Sequence, residues 1–215
     1  DLGRTAGEWY PAVPPLCRCS TGLCPVDYFG RTLVDSLPSD IKVGVINVAV
    51  AGCKIELFDK YGYKALIDSG VADWMKNMIN AYGGNPYAKL IEIARKAQQD
   101  GVIRGILLHQ GESNTGQQSW PGKVRAIYYD MLNDLNLDPD SVPLLAGEVV
   151  NADQKGACAS MNPIIDSLPQ VIPNSFVVSS SGLSSNQMDH LHFVAPGYRE
   201  FGKRYAAKML QFLKK

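Results

Sequence analysis

The sequence has no excess of either charge. Its 21 Lys and Arg residues balance 21 Asp and Glu residues. No face is set aside as basic, which argues against nucleic acid as the main partner. No apolar run approaches the roughly 20 residues that span a bilayer, so no membrane partner is expected. Internal repeats and low-complexity tracts are also lacking, which removes solenoids and disordered tails. No secretory leader stands at the start, although a mature secreted chain would lack one too. Histidine is scarce, with three residues in 215. What is left is a chain long enough for one domain with a sizeable core.

Five cysteines are present: Cys17, Cys19, Cys24, Cys53 and Cys158. The first three lie close together, yet no further Cys or His completes the pair-of-pairs spacing of a metal knuckle. A loop stapled by disulfides in a secreted protein is the expectation. The odd count leaves one thiol over.

The region 1–25 is rich in Pro, Gly and Cys and has no period, so it reads as a long surface loop. Val26, Phe29, Leu33, Val34 and Leu37 mark a helix face. The stretch 41–50 fills with Val and Ile and predicts a strand, closed by Ala51-Gly52-Cys53. Trp74, Met75, Met78, Ile79 and Tyr82 suggest a helix closed by Gly83-Gly84-Asn85. Pro86 opens another that Gly101 ends. The stretch 101–108 predicts a second strand. A helix from Pro121 turns Val124, Ile127, Tyr128, Met131, Leu132 and Leu135 inward. A third strand is expected over 142–150. Next come a short helix over 163–168 with Asn162 as N-cap, then a fourth strand over 175–180. Tyr198, Phe201, Tyr205, Met209 and Phe212 define the last helix. Strands alternating with helices predict a parallel sheet covered on both faces. No strand precedes the first helix.

Two polar clusters interrupt this pattern. His109-Gln110-Gly111-Glu112-Ser113-Asn114 follows the second strand. That places a His, an amide, a carboxylate and a hydroxyl at the sheet edge where α/β proteins bind ligands. A strand cap bonded to loop backbone is the plainer alternative. Asp189-His190-Leu191-His192-Phe193 precedes the last helix and holds two of the three histidines. An imidazole is the usual general base near neutral pH, and a carboxylate on its other nitrogen fixes the tautomer. Asp189 can reach His192 within one turn. A surface His pair and a zinc site built from Asp189, His190 and His192 are the alternatives. The small-residue turn Ala51-Gly52 could bring backbone N–H groups up to a ligand.

These pieces, together with Val45-Ile46-Asn47-Val48-Ala49-Val50 and the early Val13-Pro14-Pro15-Leu16-Cys17 through Asp27-Tyr28-Phe29-Gly30, carry a resemblance. The chain resembles the carbohydrate esterases of family six, acetylxylan esterases of the SGNH hydrolase superfamily. That group is related to the sialic-acid-specific acetylesterases. The resemblance runs over nearly the whole chain. It implies one domain over 1–215, a three-layer α/β/α flavodoxin-like fold, and no cofactor or metal. It implies a serine nucleophile with His192 as base. The acid is Glu112 or Asp189; Glu112 is the expected triad acid, with Asp189 as a secondary orienter. An oxyanion hole would draw on Ala51 or Gly52 and on Gln110.

One departure stands out. Such esterases carry the nucleophile in a G-Q-S-N-M turn after a first strand, and neither is present in this sequence. Ser113 belongs to the acidic motif. Ser179, Ser180, Ser181, Ser184 and Ser185 sit in no Gly-x-Ser-x-Gly elbow. The nucleophile is therefore expected on an N-terminal segment of the same protein outside these residues. The expected activity is removal of acetyl groups from acetylated xylan or a related plant polysaccharide, in the extracellular space. The alternative is a non-catalytic carbohydrate-binding relative.

Overall fold

A computed structural model describes residues 3–18 and 20–213. Three parallel strands form the sheet in the order β1-β2-β3: β1 (Ile106–His109), β2 (Leu144–Gly147) and β3 (Ser175–Val178). Ile106 pairs with Leu144 and His109 with Gly147; Leu144 pairs with Ser175 and Gly147 with Val178. All three strands therefore end along one edge, at His109, Gly147 and Val178.

Alternation along the strands sorts side chains into two cores. Ile106, Leu108, Leu144, Ala146 and Val177 face the layer built from α4 (Pro86–Ala97), α5 (Trp120–Leu135) and α6 (Asn162–Ile165). Leu107, Leu145, Phe176 and Val178 face α1 (Pro25–Ser36) and α7 (Ala195–Leu213). The result is a three-layer α/β/α fold with a parallel sheet. A third small core joins Val50, Cys53 and Leu57 to Met75 and Ile79 of α3 (Asp73–Asn80), with Leu66 and Ile67 of α2 (Tyr63–Asp68) against it.

Local chemistry sets most helix starts. Pro25 opens α1, and the Asp27 carboxylate reaches back to accept the Cys24 N–H at 2.7 Å. Asn85 does not close α3, which ends at Asn80; its side chain caps α4 by accepting the Ala88 N–H at 3.0 Å. Asn162 departs from its expected N-cap role. Its amide accepts from the Val149 N–H and donates to the Val149 carbonyl, at 2.9 and 3.2 Å, and so ties α6 to the end of β2.

Helices α1 and α7 cross closely because Gly202 lacks a side chain. A Cβ there would lie 2.3 Å from the Pro25 carbonyl oxygen and 2.8 Å from the Phe29 nitrogen. Both are backbone atoms, so the helix itself must move. Gly202→Ala is expected to cost about 3 kcal/mol, the scale of an overpacked core, and to lower the melting temperature by roughly 6–12 °C. A melting curve within about 2 °C of wild type would show that the α1–α7 contact yields without cost.

The stretch 41–50 is the main departure from the sequence reading. It forms no strand. Val43 and Val45 still pack into one core and Ile46 into the other, as in a strand of the sheet layer. The residues have strand character, but a strand is defined by its ladder, and among the described residues these have no ladder partner. Likewise β1 is paired on one side alone among the described residues, and its Ile106, Leu107 and Leu108 are half-buried while all of β2 is buried.

The cysteines are a second correction. Cys17, Cys24, Cys53 and Cys158 are free thiols, and Cys19 lies outside the described residues. Cys17 takes a contact from the Arg18 guanidinium and Cys24 one from the Asn47 amide. Burial pushes the Cys24 and Cys53 thiols up to about 12, so both stay protonated. No helix among the described residues is long and apolar enough to cross a membrane.

Candidate active site

The site lies at the C-terminal edge of the sheet and is built on two loops. The first leaves β1 at His109. Its anchor is Asn114, which is 1% exposed. The Asn114 side-chain oxygen accepts from the Ile55 N–H and from Gln110 Nε2, at 2.8 and 2.7 Å. Its amide nitrogen donates to Glu56 and to Gln117, both at 2.9 Å. Lys123 Nζ closes the network by bonding Glu56 and Gln117. Burial works to raise the Glu56 carboxyl, but hydrogen bonds from Lys123 and Asn114 outweigh it and hold the group below its ordinary range. The network joins the β1 loop to the turn at residues 55–58 and to α5. Asn114→Leu strands the Ile55 N–H and leaves Glu56 and Gln110 each short of a partner. A loss of about 3–5 kcal/mol is expected, read as a urea midpoint lower by roughly 1–2 M. An unchanged midpoint would mean water replaces the amide.

Gln110 is locked within this network. The Trp120 indole can only donate, and it donates to Gln110 Oε1 at 2.6 Å, which fixes the amide's orientation. Nε2 then serves the Cys53 carbonyl and Asn114, at 3.2 and 2.7 Å. Both amide hydrogens are used. The expected oxyanion role of Gln110 is therefore replaced by a positioning one. Ala51 and Gly52 are exposed and form the expected tight turn, with Gly52 at φ +63°. The Ser113 hydroxyl donates to the Gly52 carbonyl at 2.7 Å, holding that turn against the β1 loop.

The second loop carries Asp189 and His192. Asp189 Oδ2 accepts from His192 Nδ1 at 2.9 Å, while Oδ1 accepts the N–H groups of Leu191 and His192 at 2.8 and 3.1 Å. These bonds, the Leu191 N–H foremost and then the His192 ring, pull the Asp189 carboxyl down to about 2. Asn186 adds a fourth donor, Nδ2 to Oδ2 at 3.0 Å, and its backbone pairs with both His192 and His190. With Nδ1 held by Asp189, the Nε2 of His192 is the free nitrogen, on a side chain 67% exposed.

Glu112 stands elsewhere. Its carboxylate is 3.8 Å from Nε2 of His109, and it is Asp189 that holds His192 Nδ1. The expected order of the two acids is thus reversed in the hydrogen bonding. Chain distance explains it: Asp189 shares a turn with His192, whereas Glu112 comes from another loop. The His109 ring packs edge-on to Phe201 at 5.4 Å and against Phe193 at 6.0 Å. Burial lowers its pKa, Glu112 opposes that, and the neighbouring His192 adds to the lowering. His109, Glu112 and His192 therefore share one electrostatic cluster. His190 is apart from it: its backbone is left-handed at φ +54°, and its Nδ1 is buried without a partner among the described residues. Among the described residues no three His, Cys, Asp or Glu side chains converge as a metal site would need.

Four of the serines near the second loop are committed to other acceptors. Ser179 donates to Glu148, Ser180 to the Val149 carbonyl, Ser181 to Asp153 and Ser185 to the Gln154 carbonyl. Glu148 was not singled out by sequence reading, though a carboxylate inside the apolar run 142–150 is a legible signal. It is buried and also accepts the Ser180 N–H at 2.6 Å, tying the loops after β2 and β3 together. Asn186 was missed as well; its signal is the spacing of three to Asp189, repeated from Asp189 to His192.

A parallel sheet between two helical layers thus carries a carboxylate-oriented histidine on a loop beside its C-terminal edge. The family model of carbohydrate esterases described as sialic acid-specific acetylesterases matches residues 3–211, and the chain belongs to that family. Among solved structures, a protein from Arabidopsis thaliana is similar at 18% identity, with a TM-score of 0.68 over 88% of this chain and 69% of that one. At that identity the likeness concerns the fold.

Proposed function

We propose that this protein is a carbohydrate O-acetyl esterase that removes acetyl groups from acetylated xylan or a related plant polysaccharide outside the cell. The observation that carries the reading is the Asp189–His192 pair at 2.9 Å, with Nε2 free at the sheet edge. Membership in a carbohydrate esterase family supports the substrate class.

The mechanism is serine-type acyl transfer. A serine hydroxyl attacks the acetyl carbonyl while His192 Nε2 takes its proton. Asp189, ionised throughout, keeps the proton on Nδ1 and stabilises the imidazolium. Glu112 adds negative charge to the same cluster. The tetrahedral oxygen is met by the N–H of Ala51 or Gly52 and by that of the nucleophile, a contribution on the order of several kcal/mol. Collapse breaks the C–O bond to the sugar, and His192 returns the proton to the departing sugar oxygen. Water, deprotonated by His192, then attacks the acetyl-serine and releases acetate. No cofactor enters.

The nucleophile is assigned to a segment of the same protein outside these residues, entering as a parallel strand beside β1. The one-sided pairing of β1 and the strand-like packing of Val43, Val45 and Ile46 support that position. The test measures the intact mass of the native protein and then its acetate release from acetylxylan. A mass accounting for an added strand, with acetate released, is expected. A native protein that includes such a strand yet releases no acetate from acetylxylan or p-nitrophenyl acetate would overturn the reading. The second reading, a non-catalytic binder, is favoured by one observation: among the described residues no serine hydroxyl bonds His192. It predicts glycan binding without turnover.

A further inference from the structure

The sequence has three tryptophans, and two of them are fully employed. Trp120 is buried with its N–H on Gln110. Trp9 is 51% exposed, but its N–H donates to Asp100 at 2.7 Å and its ring lies against Gly44. Trp74 differs. It is also 51% exposed, and its indole N–H has no acceptor among the described residues. Burial is what demands a partner for an indole N–H, and at this exposure the Trp74 N–H is open to solvent and to any ligand that displaces it. The α3 helix explains the exposure: Met75 and Ile79 turn into the small core, so the preceding residue points outward.

Its location is informative. A Cβ placed on Gly52 would lie 3.2 Å from Trp74 Cη2. The indole therefore rests on the Ala51–Gly52 turn. That turn is bonded through Ser113 to the loop holding Glu112, and Glu112 shares the cluster with His109 and His192. Two conditions thus keep residue 52 a glycine: the positive φ and the contact with the ring. An exposed, flat, apolar face with a free donor at its edge stands on the rim of the site. Beside it Asp73 and Lys76 form an exposed ion pair at 3.1 Å, offering polar partners.

A pyranose ring matches these features. Its axial C–H bonds make an apolar face, and its hydroxyls accept and donate around the rim. We propose that Trp74 is a glycan-binding platform: its indole stacks on a pyranose ring of an acetylated glycan and holds a neighbouring acetyl ester toward His192. The second half of this statement rests on the esterase reading. The first half does not.

The test uses the native protein and two probes, acetylated xylotetraose and an O-acetylated sialoside, with affinity measured by calorimetry. The same samples are assayed on p-nitrophenyl acetate. At least one glycan is expected to bind, and Trp74→Ala is expected to weaken it about tenfold or more, while Trp74→Phe, which keeps an aromatic face, stays within about threefold. Trp9→Ala, remote from the site, keeps wild-type affinity. The platform is overturned if neither glycan binds the wild-type protein, or if Trp74→Ala binds within about twofold of it. Aryl-acetate hydrolysis in either of those cases leaves the esterase reading standing. Glycan affinity lost in Trp74→Ala, with no ester hydrolysed by the wild type, upholds the platform and removes the esterase reading.

Discussion

Replacing His192 by alanine is expected to lower acetate release by about four to six orders of magnitude, the range seen when the base of a serine triad is removed. The expectation follows from its geometry. His192 is the histidine with a carboxylate on Nδ1 and a free Nε2. Proton transfer must pass through it twice in each half-reaction, and a triad acts as a unit. His190→Ala is the matched control. His190 adjoins the same motif, yet its Nδ1 is buried without a partner among the described residues and its contribution is a backbone corner at φ +54°. A drop of about tenfold or less is expected there, because no proton moves through that ring. Steady-state kinetics on acetylxylan and on an aryl acetate will separate the two. Equal losses at both positions would point to a shared metal, and dialysis against a chelator would then abolish activity.

Replacing the two acids by their amides gives the second large effect. Asp189→Asn is expected to cost about four decades of turnover, since an asparagine in that place favours the wrong tautomer of the base. Glu112→Gln is expected to cost far less, about tenfold, because its charge acts across a 3.8 Å gap to His109 rather than through a bond to His192. The reverse order would make Glu112 the triad acid and Asp189 a structural turn. The pH profile offers an independent reading. The folded Asp189 carboxyl is depressed to about 2, so its interactions are present above its ordinary range and are lost as pH falls through about 2. The acidic limb of the activity profile must therefore belong to another group. An acidic limb that shifts in Glu112→Gln would identify Glu112, through the His109–His192 cluster, as the group that tunes it.

The sequence by itself determined much of this protein. Val26 through Leu37, Val124 through Leu135 and Tyr198 through Phe212 repeat at helical spacing. Each forms the helix that spacing demands, because periodicity is a property of neighbouring residues. The apolar runs ending near His109, Gly147 and Val178 form parallel strands for the same local reason; the first polar motif follows the end of β1 and the second precedes α7. Tertiary structure decided the rest. Residues 41–50 have strand composition and strand-like packing, but pairing needs a partner from elsewhere in the sheet, and composition cannot supply one. Gln110 is a credible oxyanion donor until Trp120, ten residues on, takes its oxygen and Cys53 and Asn114 take its hydrogens. The choice between Glu112 and Asp189 depends on which carboxylate comes within hydrogen-bonding distance of one nitrogen. Asp189 reaches it within one turn of its own loop, whereas Glu112, about 80 residues away in the chain, depends on how the two loops sit on the sheet edge, and there it stands beside His109 instead.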